Sequence, residues 1–149
     1  MIFSKSFGYT IRGILFITSM QERKQFVQVE EIAAALSVPR FFMGKILKKL
    51  AKENILSSVK GPSGGFTINT NTLDITLLHL VKLTDGSLSL DHCVMRLREC
   101  NSKRPCPLHE QMEGWRLSLK LMLSNTTIKH LLRTDVNQFV KSLSDGQVD

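Results

Sequence analysis

Apolar residues recur at helical spacing through the first third of the chain, and polar breaks divide them into three segments. The pattern predicts one helix over residues 6–20 and a short second helix over residues 30–36. Proline suits the first turn of a helix because its missing N–H is not needed there. Pro39 is therefore expected to open a third helix that reaches about Asn54. A short helix and a longer one joined by a tight turn are typical of a helix-turn-helix.

The third helix separates its apolar side chains from its basic ones. The positions expected to face the core are Met43, Ile46, Leu47 and Leu50. The opposite side gathers Phe41, Lys45, Lys48 and Lys52. An ordinary helical hairpin with a solvated lysine face would give the same pattern, so this helix alone does not decide the function.

A glycine-rich hairpin is predicted directly after the third helix. Residues 55–60 are rich in β-forming side chains, residues 61–65 read GPSGG, and residues 66–68 predict a second short strand. A helix-turn-helix followed by such a hairpin indicates a winged helix. Lys60 and the free backbone N–H groups of the wing tip can approach a phosphate backbone or enter a minor groove. A plain hairpin covering the core is a compatible alternative.

The second half of the chain predicts three further helices. One spans residues 76–85, a second runs from Pro107 to about Ser124, and a last one starts after Thr127. Along the second, apolar residues alternate at three- and four-residue intervals and predict a dimer seam. The seam consists of Leu108, Met112, Trp115, Leu119 and Met122. Packing of this helix against the protein's own core is the alternative.

The charge and the cysteine count narrow the class of protein. A formal charge of +7 and a pI near 9.6 favour a polyanionic partner over a basic protein with no specific partner. No secretory signal is visible, and the apolar run from Ile11 to Met20 is broken by Arg12 and too short to span a membrane. Three cysteines argue against a simple disulfide framework. We therefore expect a cytoplasmic protein with reduced thiols and no membrane partner.

Three thiols and an imidazole lie within seventeen residues, in the order C-x6-C-x5-C-x2-H. The residues are Cys93, Cys100, Cys106 and His109. Thiolates are soft ligands that suit iron–sulfur clusters and zinc. Neither cysteine gap has the short spacing of a zinc knuckle, although three cysteines and one histidine do form structural zinc sites. A metal-free thiol switch and inert buried cysteines are the other two interpretations.

The wing segment SVKGPSGGF over residues 58–66, the Ile55-Leu56 pair before it and the three cysteines resemble one family. That family is the Rrf-type winged-helix transcription regulators of bacteria, and the likeness is to its IscR- and NsrR-like branch, which senses through an iron–sulfur cluster. The resemblance covers essentially the whole chain. It implies a homodimer in which the wing and recognition helix of each subunit bind half of an inverted-repeat operator in double-stranded DNA.

The resemblance also implies a cluster, most often [2Fe–2S], with zinc as the alternative metal. By position, Cys93, Cys100 and Cys106 match the family's three cysteine ligands, and His109 matches the histidine that completes the site in one branch. Other branches use an acidic residue near the position of Gly8, which has no side chain to donate. The chain departs from the family in a first cysteine gap that is one residue longer, and in a lysine, Lys60, where the family has a minor-groove arginine.

The sequence thus predicts a mainly α fold with a small β wing. Its expected parts are a winged-helix domain over residues 1–86, a cysteine loop over residues 87–106, and a dimerisation helix with a C-terminal helix over residues 107–149. The predicted DNA contacts are Arg40, Phe41, Lys45, Lys48, Lys60, Ser63 and Gly64.

We expect a DNA-binding regulator, a repressor, whose operator affinity an iron–sulfur cluster switches in response to redox, nitric oxide or iron status. No small-molecule substrate and no enzymatic activity are expected, because the chain carries no nucleophile–base motif. The alternatives are a regulator that uses zinc or bare thiols and a DNA-architectural protein with no sensing role.

Overall fold

A computed structural model of the chain describes residues 2–86, 90–97, 100–133 and 135–144. Parts of the predicted cysteine loop (residues 87–89, 98 and 99) and of the predicted polar tail (145–149) lie outside the described residues. The helices are α1 Lys5–Met20, α2 Val29–Leu36, α3 Arg40–Lys52, α4 Leu77–Asp85, α5 His109–Asn125, α6 Ile128–Leu131 and α7 Val136–Ser144. The strands are β1 Leu56–Val59 and β2 Gly65–Ile68. The predicted fold, mainly α with a small β wing, is confirmed.

The three N-terminal helices pack around one apolar core. Ser4 starts α1 because its side-chain oxygen accepts a hydrogen bond from the Phe7 N–H at 3.1 Å. Ser37 ends α2 in the left-handed region, with φ 54°, and so turns the chain sharply into α3. The fully buried side chains that join these helices include Ile14, Ile17, Ile32, Leu36, Met43, Leu47 and Leu50. This packing leaves the opposite face of α3 exposed.

The wing is an antiparallel hairpin fastened to the chain segment before α2. Its strands pair from Leu56 opposite Ile68 to Val59 opposite Gly65. The backbone of Phe66 exchanges two hydrogen bonds with Val27, at 2.8 and 2.9 Å. Because Val27 lies two residues before α2, these bonds fix the direction of the wing relative to the helix-turn-helix.

The C-terminal half departs from the sequence prediction in two places. Helix α5 begins at His109 rather than at Pro107, so Leu108 precedes the helix. The single last helix predicted after Thr127 is wrong, because the structure has two helices there, α6 and α7. The physical reason is a second start signal: the Asp135 carboxylate accepts a hydrogen bond from the Gln138 N–H at 3.1 Å and so caps a new helix.

Helix α5 packs against α4 through the fully buried Leu123 and the partly buried Leu119. A short backbone bridge next to this contact joins the two halves of the chain: the Leu77 N–H donates to Thr126 at 2.9 Å, and the Ile128 N–H donates to Ile75 at 3.0 Å. Within the described part of the chain, no helix is long and apolar enough to cross a membrane.

Candidate functional site

The exposed face of α3 carries an aromatic and basic surface. Phe41 is 67% exposed and Phe42 is 55% exposed, which is high for large apolar side chains. The ammonium of Lys45 lies 4.5 Å from the centre of the Phe41 ring, and Lys48 is exposed one turn further along. A cation held over a ring face is stabilised by the ring quadrupole. Three of the positions predicted to contact DNA (Phe41, Lys45 and Lys48) therefore lie together and are open to solvent.

Arg40, also predicted to contact DNA, is held by an ion pair with Glu30 of α2. Its Nε and Nη2 atoms donate to one carboxylate oxygen of Glu30 at 2.9 and 2.6 Å. The hydrogen bond from Arg40, followed by a bond to the backbone of Glu30 itself, holds the pKa of Glu30 below its ordinary value. Both side chains are more than half exposed. The charge of Arg40 is therefore partly balanced within the protein.

The wing tip presents Lys60 and Ser63 to solvent, whereas Gly64 is buried. The Gly64 N–H donates to the Gly61 carbonyl at 3.0 Å, so this amide is engaged inside the turn. A Cβ at position 64 would lie 2.0 Å from the Val59 carbonyl oxygen, a distance that no side chain can occupy. Gly64 therefore shapes the wing that carries Lys60.

The cysteine loop brings two of the four predicted metal ligands together. The Sγ atom of Cys100 lies 3.3 Å from Nδ1 of His109, the first residue of α5. Arg116, two turns further along α5, donates from Nη1 to the same sulfur at 3.0 Å. His109 reaches in the other direction, with Nε2 3.4 Å from the carboxylate of Glu113.

The other two predicted ligands do not complete a metal site with this pair among the described residues. Cys93 lines a separate cavity of about 950 Å³ beside Met112 and Trp115. Cys106 is joined to His109 through the backbone, since its carbonyl accepts the His109 N–H at 3.0 Å. Within residues 2–86, 90–97, 100–133 and 135–144, no three His, Cys, Asp or Glu side chains come close enough to hold one metal ion.

The donor set nevertheless fits an iron–sulfur cluster chemically. All three cysteines are free thiols and half-buried. The Nε2 atom of His109 is buried and makes no hydrogen bond to any described residue. Thiolates hold the iron of such clusters, and histidine replaces cysteine at some two-iron sites. These residues would hold the group if Cys93 and Cys106 moved toward Cys100 and His109.

The predicted dimer seam is divided between the surface and the core. Trp115 and Met122 are 42% and 48% exposed, and Leu108 before the helix is 45% exposed. Met112 is half-buried, and Leu119 packs against the core of its own chain. On another side of α5, Leu117 and Leu121 are also exposed. The helix therefore presents more apolar surface than its own chain covers.

The sequence prediction missed Glu30 and Arg116. Glu30 was not singled out, because its contact with Arg40 crosses between two helices. Arg116 did carry a signal: it lies seven residues after His109, a spacing that places both on one helix face. The contact of Arg116 with Cys100 depends on the path of the loop, which has no periodic pattern to read.

The sequence of the chain matches a known protein family. The sequence profile of the family Rrf2, described as iron-dependent transcriptional regulator, matches residues 3–134. The HTH-type transcriptional regulator NsrR of Geobacillus kaustophilus is 28% identical over 112 residues, which cover 72% of this chain and 76% of that protein. The regulator IscR of Vibrio atlanticus is 22% identical, with 93% of this chain and 78% of that protein covered.

A solved structure shares the fold. It is CymR, the global cysteine regulator of B. subtilis, with a TM-score of 0.69 at 16% identity, covering 89% of this chain and 97% of that one. Both of these relatives matched by sequence are named HTH-type transcriptional regulators. Since the family profile spans most of the chain and the winged-helix fold agrees with it, this chain belongs to the Rrf2 family of transcriptional regulators.

Proposed function

We propose that this regulator is a repressor whose affinity for operator DNA depends on an iron–sulfur cluster held by the cysteine loop. The observation that carries the proposal is the 3.3 Å approach of Cys100 Sγ to His109 Nδ1, which joins two of the expected ligands at the start of α5. Cys93 and Cys106 supply the other two donors. When bound, the group supplies one-electron redox chemistry and sensitivity to oxidants and nitric oxide.

The chain's own residues convert a change at this loop into a change at the DNA surface. The loop leaves the end of α4, which belongs to the winged-helix core, and enters α5 at His109. Loading would draw Cys93 toward Cys100 and His109 and so alter how α4 and α5 are joined. The loop would then have two conformations, one with the cluster and one without it. A cluster that binds only one conformation shifts the population toward that conformation.

DNA is contacted by the exposed face of α3 and by the wing. Lys45, Lys48 and Lys60 neutralise phosphates, Ser63 donates from the wing tip, and Phe41 contacts base edges. Apolar side chains read the thymine methyl group in the major groove, whereas lysines at phosphates position the protein without reading sequence. Arg40 joins these contacts at the cost of its bond to Glu30.

A homodimer would carry two such surfaces to an inverted-repeat operator. Trp115 and Met122, with Leu108 and Met112 beside them, supply the exposed apolar part of the seam. Aromatic side chains and methionine are enriched at the cores of protein interfaces. Two recognition helices held by α5 would then be spaced by the dimer, which is what a palindromic site requires.

The test compares DNA affinity with and without the cluster. A duplex selected by the protein from a random pool, labelled with a fluorophore, is titrated anaerobically with iron-loaded protein, with apo-protein and with the loaded protein after nitric oxide treatment. We expect the loaded and apo forms to differ by tenfold or more in dissociation constant. Equal affinities in all three samples would reject the switch while leaving the DNA-binding surface in place.

A second candidate is a regulator that works through bare thiols or zinc. The bare-thiol form is favoured by the positions of the sulfurs, because no three donors among the described residues converge on one metal. The fold is also shared with CymR, a protein named as a cysteine regulator. In that case the purified protein carries no iron, and either zinc or reversible thiol oxidation changes its DNA affinity.

A further inference from the structure

One face of α5 carries a row of ionisable side chains directed at the cysteine loop. The row consists of His109, Glu113, Arg116 and Lys120. Together with Asp91 and Cys100 it lines a cavity of about 450 Å³. These residues are spaced three to four apart, so they form one strip along the helix.

One cation of this strip, Lys120, is paired with a carboxylate. The Lys120 ammonium lies 2.5 Å from the Asp91 carboxylate, and Glu113 lies beside His109. Arg116 differs, because it forms no ion pair with a carboxylate of the described residues. Its guanidinium, which stays protonated at any physiological pH, is turned toward the loop instead.

Arg116 contacts the loop at two separate places. Nη1 donates to Cys100 Sγ at 3.0 Å, and Nη2 donates to the carbonyl oxygen of His92, the residue before Cys93. A guanidinium is planar and its nitrogens are fixed relative to one another. One side chain therefore sets the separation between the segment that carries Cys93 and the sulfur of Cys100, and holds both against the helix that bears His109.

We propose that Arg116 is the positioning residue of the cysteine loop, and the cation that partly neutralises the negative charge of a cluster held there. The proposal rests on the proposed function and adds a residue outside the four ligands. Hydrogen bonds to the sulfurs and the net local charge both tune the reduction potential of iron–sulfur sites. The guanidinium of Arg116 lies 3.0 Å from the Cys100 sulfur. A fixed positive charge at that distance would favour the reduced state of a cluster held by this sulfur.

The test uses the full chain and three variants. Arg116→Met removes the charge and both hydrogen bonds but keeps an apolar stem, whereas Arg116→Lys keeps the charge and loses the planar fork. Lys120→Met is the matched control, because it removes a tether from α5 to Asp91 that touches no sulfur. Circular dichroism checks that each variant is folded.

The first readout needs no metal. Trypsin cleaves after exposed basic residues that no proline follows, and Arg96 and Lys103 of the loop are exposed. In apo-protein we expect cleavage at these sites to be roughly tenfold faster in Arg116→Met, because the loss of charge-assisted bonds opens the loop. Arg116→Lys should fall between that variant and the wild type. Equal cleavage rates for Arg116→Met and the wild type would overturn the positioning role.

The second readout is the reduction potential of iron-loaded protein, titrated with dithionite in the presence of redox dyes. We expect a downward shift in Arg116→Met and much smaller shifts in Arg116→Lys, which keeps the charge, and in Lys120→Met, which removes a cation that donates to Asp91 and not to a sulfur. Equal shifts in Arg116→Met and Lys120→Met would overturn the electrostatic role. A wild-type chain that takes up no iron contradicts the proposed function instead, and the cleavage comparison then still decides the positioning role.

Discussion

At the scale of single residues, the DNA-facing surface contains a built-in competitor for one of its cations. The carboxylate of Glu30 accepts two hydrogen bonds from Arg40. Hydrogen bonding from Arg40 is the largest cause of the lowered pKa of Glu30. A lowered pKa keeps this carboxylate charged at neutral pH, so the ion pair persists there and is lost only as the pH falls through the lowered value. A phosphate must compete with Glu30 for the guanidinium.

Replacing Glu30 with glutamine should therefore strengthen DNA binding. The substitution frees Arg40 and removes one negative charge from the surface that approaches phosphates, so the salt dependence of the affinity should steepen by about one phosphate contact. Fluorescence anisotropy at several salt concentrations measures both. Glu31→Gln is the control, because Glu31 lies on the same helix but pairs with Lys24 at 2.7 Å. An equal gain in both variants would show that only net charge matters and that Arg40 makes no DNA contact.

The ligand assignment is also tested one residue at a time. Cys100→Ala should abolish iron loading, and His109→Ala should reduce it or make the loaded protein short-lived, because both belong to the pair of donors that is already in contact. His92→Ala is the control, since His92 contributes only its backbone carbonyl to Arg116. Iron and acid-labile sulfide per chain are the measurements. Normal iron content in Cys100→Ala would remove that residue from the site.

At the scale of secondary-structure elements, the wing depends on a position where only hydrogen fits. Gly64→Ala would bring a methyl group to 2.0 Å from the Val59 carbonyl oxygen, so the turn must deform. We expect a loss of about 1–3 kcal/mol in the free energy of unfolding and weaker DNA binding, since Lys60 is displaced.

Gly114→Ala provides the comparison for that variant. Gly114 lies on α5 with nothing within 4 Å of an added Cβ, so alanine there should stabilise the protein by about 0.5–1 kcal/mol without changing DNA affinity. Urea unfolding and anisotropy measure the two effects. If Gly64→Ala had the same stability and the same DNA affinity as the wild type, the wing turn would accommodate a methyl group, contrary to the 2.0 Å distance.

The sequence predicted the N-terminal elements well because strong local signals agree there with the packing. The spacing of Met43, Leu47 and Leu50 and the glycine-rich turn after β1 are sufficient to predict α3 and the wing. The prediction failed where a single polar residue decides the outcome. Asp135 starts α7 within an apolar pattern that reads as one helix. The apolar pattern of α5 also did not distinguish Leu119 from Trp115. Leu119 packs against the core of its own chain, whereas Trp115 is exposed.

At the scale of the whole molecule, basic charge and uncovered apolar surface point to two kinds of partner. The charge of +7 suits DNA, and the exposed side chains of α5 suit a second copy of the chain. The contact between Arg116 and the loop lies beside this surface, since Arg116 and Trp115 line the same cavity as Cys93. The chemistry of the loop is therefore close to the expected interface, a relation that no periodic pattern in the sequence could predict.

Trp115→Ala should weaken dimerisation by tenfold or more in dissociation constant, because buried tryptophan is a frequent hot spot at protein interfaces. Sedimentation velocity over a range of concentrations measures the dimer. Leu117→Ala is the control, since Leu117 is more exposed than Trp115 but lies outside the predicted seam. A Trp115→Ala protein that sediments as an intact dimer while Leu117→Ala dissociates would move the interface to the other side of α5.

The presence of an iron–sulfur cluster is tested most directly by the absorption spectrum of protein purified without oxygen, together with its iron and sulfide content. We expect a brown protein with sulfur-to-iron charge-transfer bands that nitric oxide or air bleaches, and we expect those bands to be lost in Cys100→Ala. A colourless protein that contains neither iron nor sulfide after anaerobic expression and reconstitution would contradict this expectation.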